Sequence, residues 1–375
     1  MFARLFTSSR YSFDFARRAA TVFAATTCAA CGADAASSSG TDAATAADSA
    51  GETATTAKVY KPFAAANLEN QVKRVGAYEA LQALRKGADF SAEHFGGSCG
   101  KWSSAATSPA DAKKFASLYV ETASLQAKVQ ARKDAHSDNA GAAIGVTIDT
   151  AICGAIEAGA QAGATPRKAV NSIDWHAQVV AKGLLHFFAA SLHHYTVAGT
   201  RKGYDEGIGY FGRAIDGSED LGLAGTAKSR DDNCGTTYVQ QIWGLLLKGR
   251  GLLDDALTKG GKAGMEDVLA PLTPELTANA AEIDQLVQEV LAVSLGREMK
   301  EMAAGKDPAI KLIEGRQFWL MLKPRILAFD KAKATKHATT FGQLDGNDPA
   351  AIQPQAILDA VKAVWGLDVV ALCKT

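Results

Sequence analysis

Residues 167–199, RKAVNSIDWHAQVVAKGLLHFFAASLHHYTVAG, decide the fold class. At about 100° per residue, Val180, Leu184, Phe187 and Phe188 fall on one side of a helical wheel, and Gln178, Lys182, His186 and His193 fall on the other. A strand alternates faces every second residue and seldom exceeds about 10 residues, so a run this long with this period reads as an amphipathic helix.

Outward from this run, Ser108-Pro109, Thr165-Pro166, Thr273-Pro274, Asp307-Pro308 and Asp348-Pro349 each set a capping side chain directly before a proline. Such pairs suit Ncap and N1, where the missing N–H of proline costs no hydrogen bond. The pattern predicts helices at about 65–87, 109–135, 140–162, 167–199, 203–215, 235–258, 274–304, 307–332 and 349–366. Pro324 is expected to kink or end its helix, and GVTIDTAI at 145–152 alternates well enough to read as a strand instead. Paired glycines in GGSCGKW at 96–102 and TKGGKAG at 258–264 are the expected breaks between sub-bundles. The fold class is therefore all-α, a large helical bundle or two stacked sub-bundles over residues 59–375.

Lysine plus arginine and aspartate plus glutamate both number 40, and no basic run breaks the balance, so capture of nucleic acid is not expected. Scarce aromatic residues and abundant alanine and glycine suit closely packed helices better than sheets. No stretch reaches the roughly 18 consecutive apolar residues of a transmembrane helix.

The first residues carry Arg4, Arg10, Arg17 and Arg18, then the apolar AATVFAATT, then the small-residue CAACGADAA. That order reads as a secretory signal over residues 1–31. Residues 32–58 are Ser, Thr, Ala, Gly and acids, with too little apolar surface to offset their ordering entropy, and read as a flexible tether. A cysteine closing a signal ahead of a tether resembles the bacterial lipoprotein pattern, which implies acylation of Cys31, a membrane contact through that lipid, and a place in the periplasm or at the outer membrane. Ordinary cleavage after Ala33-Asp34-Ala35 is the alternative. In such a compartment Cys99, Cys153, Cys234 and Cys373 are candidates for two disulfides, and spacing does not choose among the three pairings.

His186 and His193 share one face of the long helix two turns apart, and Asp205 and Glu206 follow in GYDEGIGYFGRAIDG at 203–217. If those carboxylates met the imidazoles, the four would make a metal site of borderline-metal type. The structural alternative is a solvated polar stripe beside Lys182, with the two acids favoured by the dipole of a helix N-terminus and Tyr210 one turn beyond Glu206 as a hydrogen-bond partner. RDDNC at 230–234 and LDGNDP at 344–349 cluster acids, but capping explains them better than calcium, because neither has the ligand order of a calcium loop.

The long His-rich aromatic helix followed by Tyr-Asp-Glu-Gly-x-Gly-Tyr-Phe-Gly resembles the imelysin-like group of exported helical bacterial proteins, which includes lipoproteins. The resemblance implies fold and location. The GxHxxE signature of that group is missing, so no ligand set carries over. Three function classes remain at this point: a tethered envelope protein that binds a ligand or partner of unspecified chemistry, a metal-binding protein or metal-dependent hydrolase, and a purely structural surface protein.

Overall fold

Ser172 starts the decisive helix: its side chain accepts the Trp175 N–H at 3.2 Å, and Gly199 ends the helix in the left-handed conformation. A computed structural model describes residues 59–99, 114–133, 144–259 and 274–374. In chain order the helices are α1 (Ala66–Lys86), α2 (Phe115–Glu121), α3 (Leu125–Gln130), α4 (Ile144–Gln161), α5 (Ile173–Ala198), α6 (Arg201–Phe211), α7 (Gly222–Cys234), α8 (Tyr238–Lys259), α9 (Pro274–Ala303), α10 (Pro308–Phe329), α11 (Lys331–Gly342), α12 (Pro354–Trp365) and α13 (Val369–Leu372). Among the described residues the only β pairing is an isolated bridge between Arg213 and Asp220. The fold is all-α, with helices packed as a bundle, and no described helix is long and apolar enough to cross a membrane.

Several elements depart from the sequence reading, and each departure has a local cause. The helix expected over 140–162 forms as α4, and it is the alternative strand at 145–152 that fails, because Ile148, Ile152 and Ile156 recur every fourth residue and are all buried. The helix expected over 109–135 is broken where Ala123 and Ser124 take φ of 48° and 57°; Arg74 of α1 donates to the Ala123 carbonyl at 3.0 and 2.8 Å there. Pro324 does not stop α10, which continues to Phe329 before Asp330 caps the separate helix α11. Of the five proline signals, Pro308 opens α10 and Pro274 opens α9. Pro349 instead starts a short 3-10 turn, with α12 beginning at Pro354, and Pro166 lies in turns ahead of Ser172. Pro109 lies outside the described residues, as do the leader at 1–31, the tether at 32–58 and Cys31.

The helix α7 was not expected at all. Leu221 at its N-cap offers no capping side chain, and the first amide is held instead by Glu79 of α1, whose Oε1 accepts from Gly222 N at 2.8 Å. The acids of RDDNC do cap a helix: Asp231 accepts from the amides of Tyr238 and Val239 at 2.7 and 3.0 Å, at the start of α8.

Apolar side chains gather in two clusters with α5 between them. Leu184, Phe187 and Phe188 join α1, α2, α3 and α4 on one side, while Leu185, Ala189 and Leu192 join α8, α9, α10 and α12 on the other. The expected glycine breaks do not divide these clusters. Phe95 and Phe115, on either side of 96–102, belong to one cluster, and Leu246 and Val287, on either side of 258–264, to the other. Two disulfides pair the four cysteines, Cys99 with Cys153 and Cys234 with Cys373.

Candidate functional site

The polar stripe of α5 is not solvated. It faces α9 and α10, which bring their own charged and polar side chains to it: Asp284, Gln288 and Glu298 from α9, and Glu314, Gln317 and Arg325 from α10, all buried. Lys182 lies opposite Glu298 and Glu314, and eleven residues further along, His193 Nδ1 stands 3.2 Å from Asp284 Oδ1. That carboxylate also receives Arg325 Nε at 3.3 Å and Gln288 Nε2 at 3.0 Å. His186 sits between the two groups; burial, with the Arg325 charge adding to it, lowers its pKa to about 3, so the ring is neutral at ordinary pH.

The four residues weighed as metal ligands do not converge. Asp205 is fully buried and its acceptor positions are taken: it accepts from Tyr60 Oη at 2.8 Å, the amides of Phe63 and Ala64 at 3.2 and 3.1 Å, and Asn67 Nδ2 at 3.0 Å. Those donors lie at the start of α1, where Ala65 has no capping side chain, so Asp205 serves as a cap supplied from α6. Glu206 is half-buried beside the Tyr195 hydroxyl, whose pKa rises through burial and then through this contact. Tyr210, expected to pair with Glu206, instead accepts from Arg74 Nη1 at 2.7 Å. Among the described residues no three of His, Cys, Asp and Glu stand together as a metal site. The distinctive GIG of this string is a packing device, since a Cβ on Gly209 would come within 2.6 Å of Gln71 Cβ on α1.

A polar cavity of about 630 Å³ opens where one end of this seam meets α1 and α7. Its floor is a tight charge cluster: Lys311 Nζ stands 2.7 Å from Glu298, 2.6 Å from Glu301 and 3.0 Å from Glu314. Glu298 and Glu314 also hydrogen-bond to each other, which requires a proton between them. Burial and then the Glu314 charge push Glu298 up to about 7, whereas burial of Glu314 is overcome by Lys182 and Lys311, which keep it ionised. Lys311 is raised in turn: burial opposes its charge, but the carboxylates around it prevail.

Two cations on the wall of this cavity are left over. Arg230 of α7 is 6 % exposed, yet its Nε and Nη1 have no hydrogen-bond partner and no described carboxylate pairs with it. Lys182 is half-buried, has its Nζ 4.6 Å from the centre of the Phe318 ring, and makes no ion pair with a described residue, because Lys311 has taken the nearby carboxylates. Unpaired guanidinium nitrogens away from bulk water are costly unless a ligand or solvent meets them. A second hollow of about 560 Å³, between α1 and α6, is walled mainly by aliphatic side chains such as Leu68, Val72 and Ile208, and brings no such convergence.

Sequence reasoning found Lys182 and the stripe it belongs to but not Arg230, Glu298, Lys311 or Glu314. None of these sits within a motif, so only the packing of α7, α9 and α10 against α5 reveals them. Comparison of the chain with protein-family models, with curated proteins and with solved structures finds no match in any of the three.

Proposed function

We propose that the protein is an exported, lipid-tethered binding protein whose polar cavity holds a small organic anion between Arg230 and Lys182. The observation that carries the reading is the buried Arg230 guanidinium, which faces a cavity of about 630 Å³ without a partner. A planar fork of donors suits a carboxylate or phosphate, and Lys182 adds a second positive charge on the same wall. The Glu298, Glu301 and Glu314 carboxyl groups of the floor gather on Lys311, and none of them is within ion-pair distance of Arg230 or Lys182. Export is supported by the order of charges, apolar run and small residues at 1–31, and the two disulfides accord with an oxidising compartment. Acylation of Cys31 would supply the membrane contact, and the neutral charge balance leaves nucleic acid out of the reading. The likeness to imelysin-like proteins belongs to the same proposal, as an account of location and not of chemistry.

Isothermal titration of the mature protein with malonate and with inorganic phosphate tests the cavity. The expected result is binding by at least one of them, weakened at least tenfold in Arg230→Gln, the loss of about 1.4 kcal/mol or more that an ionic hydrogen bond carries. Absence of binding by both anions, or equal affinity in Arg230→Gln, would refute it.

A further inference from the structure

Lys182 is placed as a reactive amine as well as a charge. The Phe318 ring covers one side of it, the cavity lies on the other, and no described carboxylate is within ion-pair distance. The charged groups that act on it come from four helices: Glu314 of α10, Glu298 of α9, Arg230 of α7 and Arg85 of α1. Burial outweighs the two carboxylates, the two arginines add to it, and the ammonium is pulled down to about 8. At that pH about half the amine is free base, the state in which a lysine attacks a carbonyl carbon.

We propose that Lys182 forms an imine with a small carbonyl compound that carries an acid group, a 2-oxo acid being the simplest class, with the acid group held by Arg230. The inference rests on the anion-binding reading of the same cavity. The neutral amine adds its lone pair to the carbonyl carbon, and the C=O π pair moves to oxygen, which takes up the first proton lost by the attacking nitrogen to give a neutral carbinolamine. The hydroxyl then leaves as water, protonated by the acid shared between Glu298 and Glu314, while the nitrogen releases its one remaining proton back to that pair and forms the C=N bond. One carbonyl and one amine thus yield one imine and one water, with no oxidation or reduction. Formation should be fastest between about 7 and about 8, where Glu298 still carries a proton and Lys182 has begun to lose one.

The test incubates the full-length mature protein with glyoxylate and cyanoborohydride at pH 7.5, by design about midway in that window, and maps fixed secondary amines by peptide mass spectrometry. Malonate, which has no reactive carbonyl, is titrated in parallel by calorimetry. Expected is labelling of Lys182 roughly tenfold above the exposed Lys86 at the same cavity, loss of that label in Lys182→Arg, and a several-fold weaker label in Arg230→Gln. Malonate binding with Lys182 labelled no more than Lys86 would overturn the imine and leave the anion site standing. Failure of both malonate binding and selective labelling would overturn both readings.

Discussion

Asp205 shows how one carboxylate can look like a ligand and serve as a cap. Four donors from the segment 60–67 converge on it at 2.8 to 3.2 Å, and its removal leaves the Tyr60 hydroxyl and two amides without their acceptor. Asp205→Ala should therefore lower the unfolding free energy by about 3 kcal/mol, measured by urea denaturation, while leaving anion affinity in the remaining folded protein unchanged. A loss of bound metal with stability intact would contradict this assignment. His186 makes a pH-dependent prediction. Its folded pKa of about 3 lies below the ordinary 6.5, so the unfolded chain binds a proton that the folded one refuses, and stability falls as pH drops from 6.5 toward 3. Glu298 works in the opposite sense, because its raised pKa favours the folded state as pH drops from about 7, but it is common to both proteins in a comparison with His186→Gln. Between pH 6.5 and pH 5 the wild type should lose about 2 kcal/mol relative to that variant. Parallel curves would show that His186 is not held neutral.

At the scale of elements, α7 carries Arg230 yet has weak claims of its own to be a helix. Glu79 holds its first amide, and the Cys234–Cys373 bridge ties its last residue to the C-terminal segment, where Lys374 N also donates to Asn233 O at 2.8 Å. That segment is seated on α9: Lys300 Nζ donates to the carbonyls of Val370 and Cys373 at 3.1 and 2.7 Å, and a Cβ on Gly296 would come within 2.7 Å of Val369. The bridge spans 139 residues, so replacing both cysteines by serine should cost about 4 kcal/mol. Hydrogen exchange should quicken first in the peptide covering 222–234, with anion affinity falling as α7 loosens. Uniform loss of protection across the protein would show that the bridge stabilises the fold without positioning Arg230.

Taken as a whole molecule, the bundle was largely legible because α1, α5, α8, α9 and α10 advertise themselves by periodicity, capping residues and length. What the sequence hid is whatever a distant element supplies. Glu79 caps α7 from 143 residues away, Arg74 breaks the helix at Ala123, and Asp205 caps α1 from α6. The same cause explains the site. The α5 stripe of Gln178, Lys182, His186 and His193 was visible, but its burial depends on matching charges on α9 and α10, more than ninety residues downstream by the Asp284 pairing with His193. A solvated face and one side of a buried seam have the same local composition. Diffraction at the bromine edge from a crystal of the mature protein soaked in bromide tests the central claim directly, because a bound halide is located by its anomalous signal. The expected result is a peak inside the cavity, within contact of both the Arg230 guanidinium and Lys182 Nζ. Peaks confined to exposed lysines and arginines, with none beside Arg230, would contradict the account.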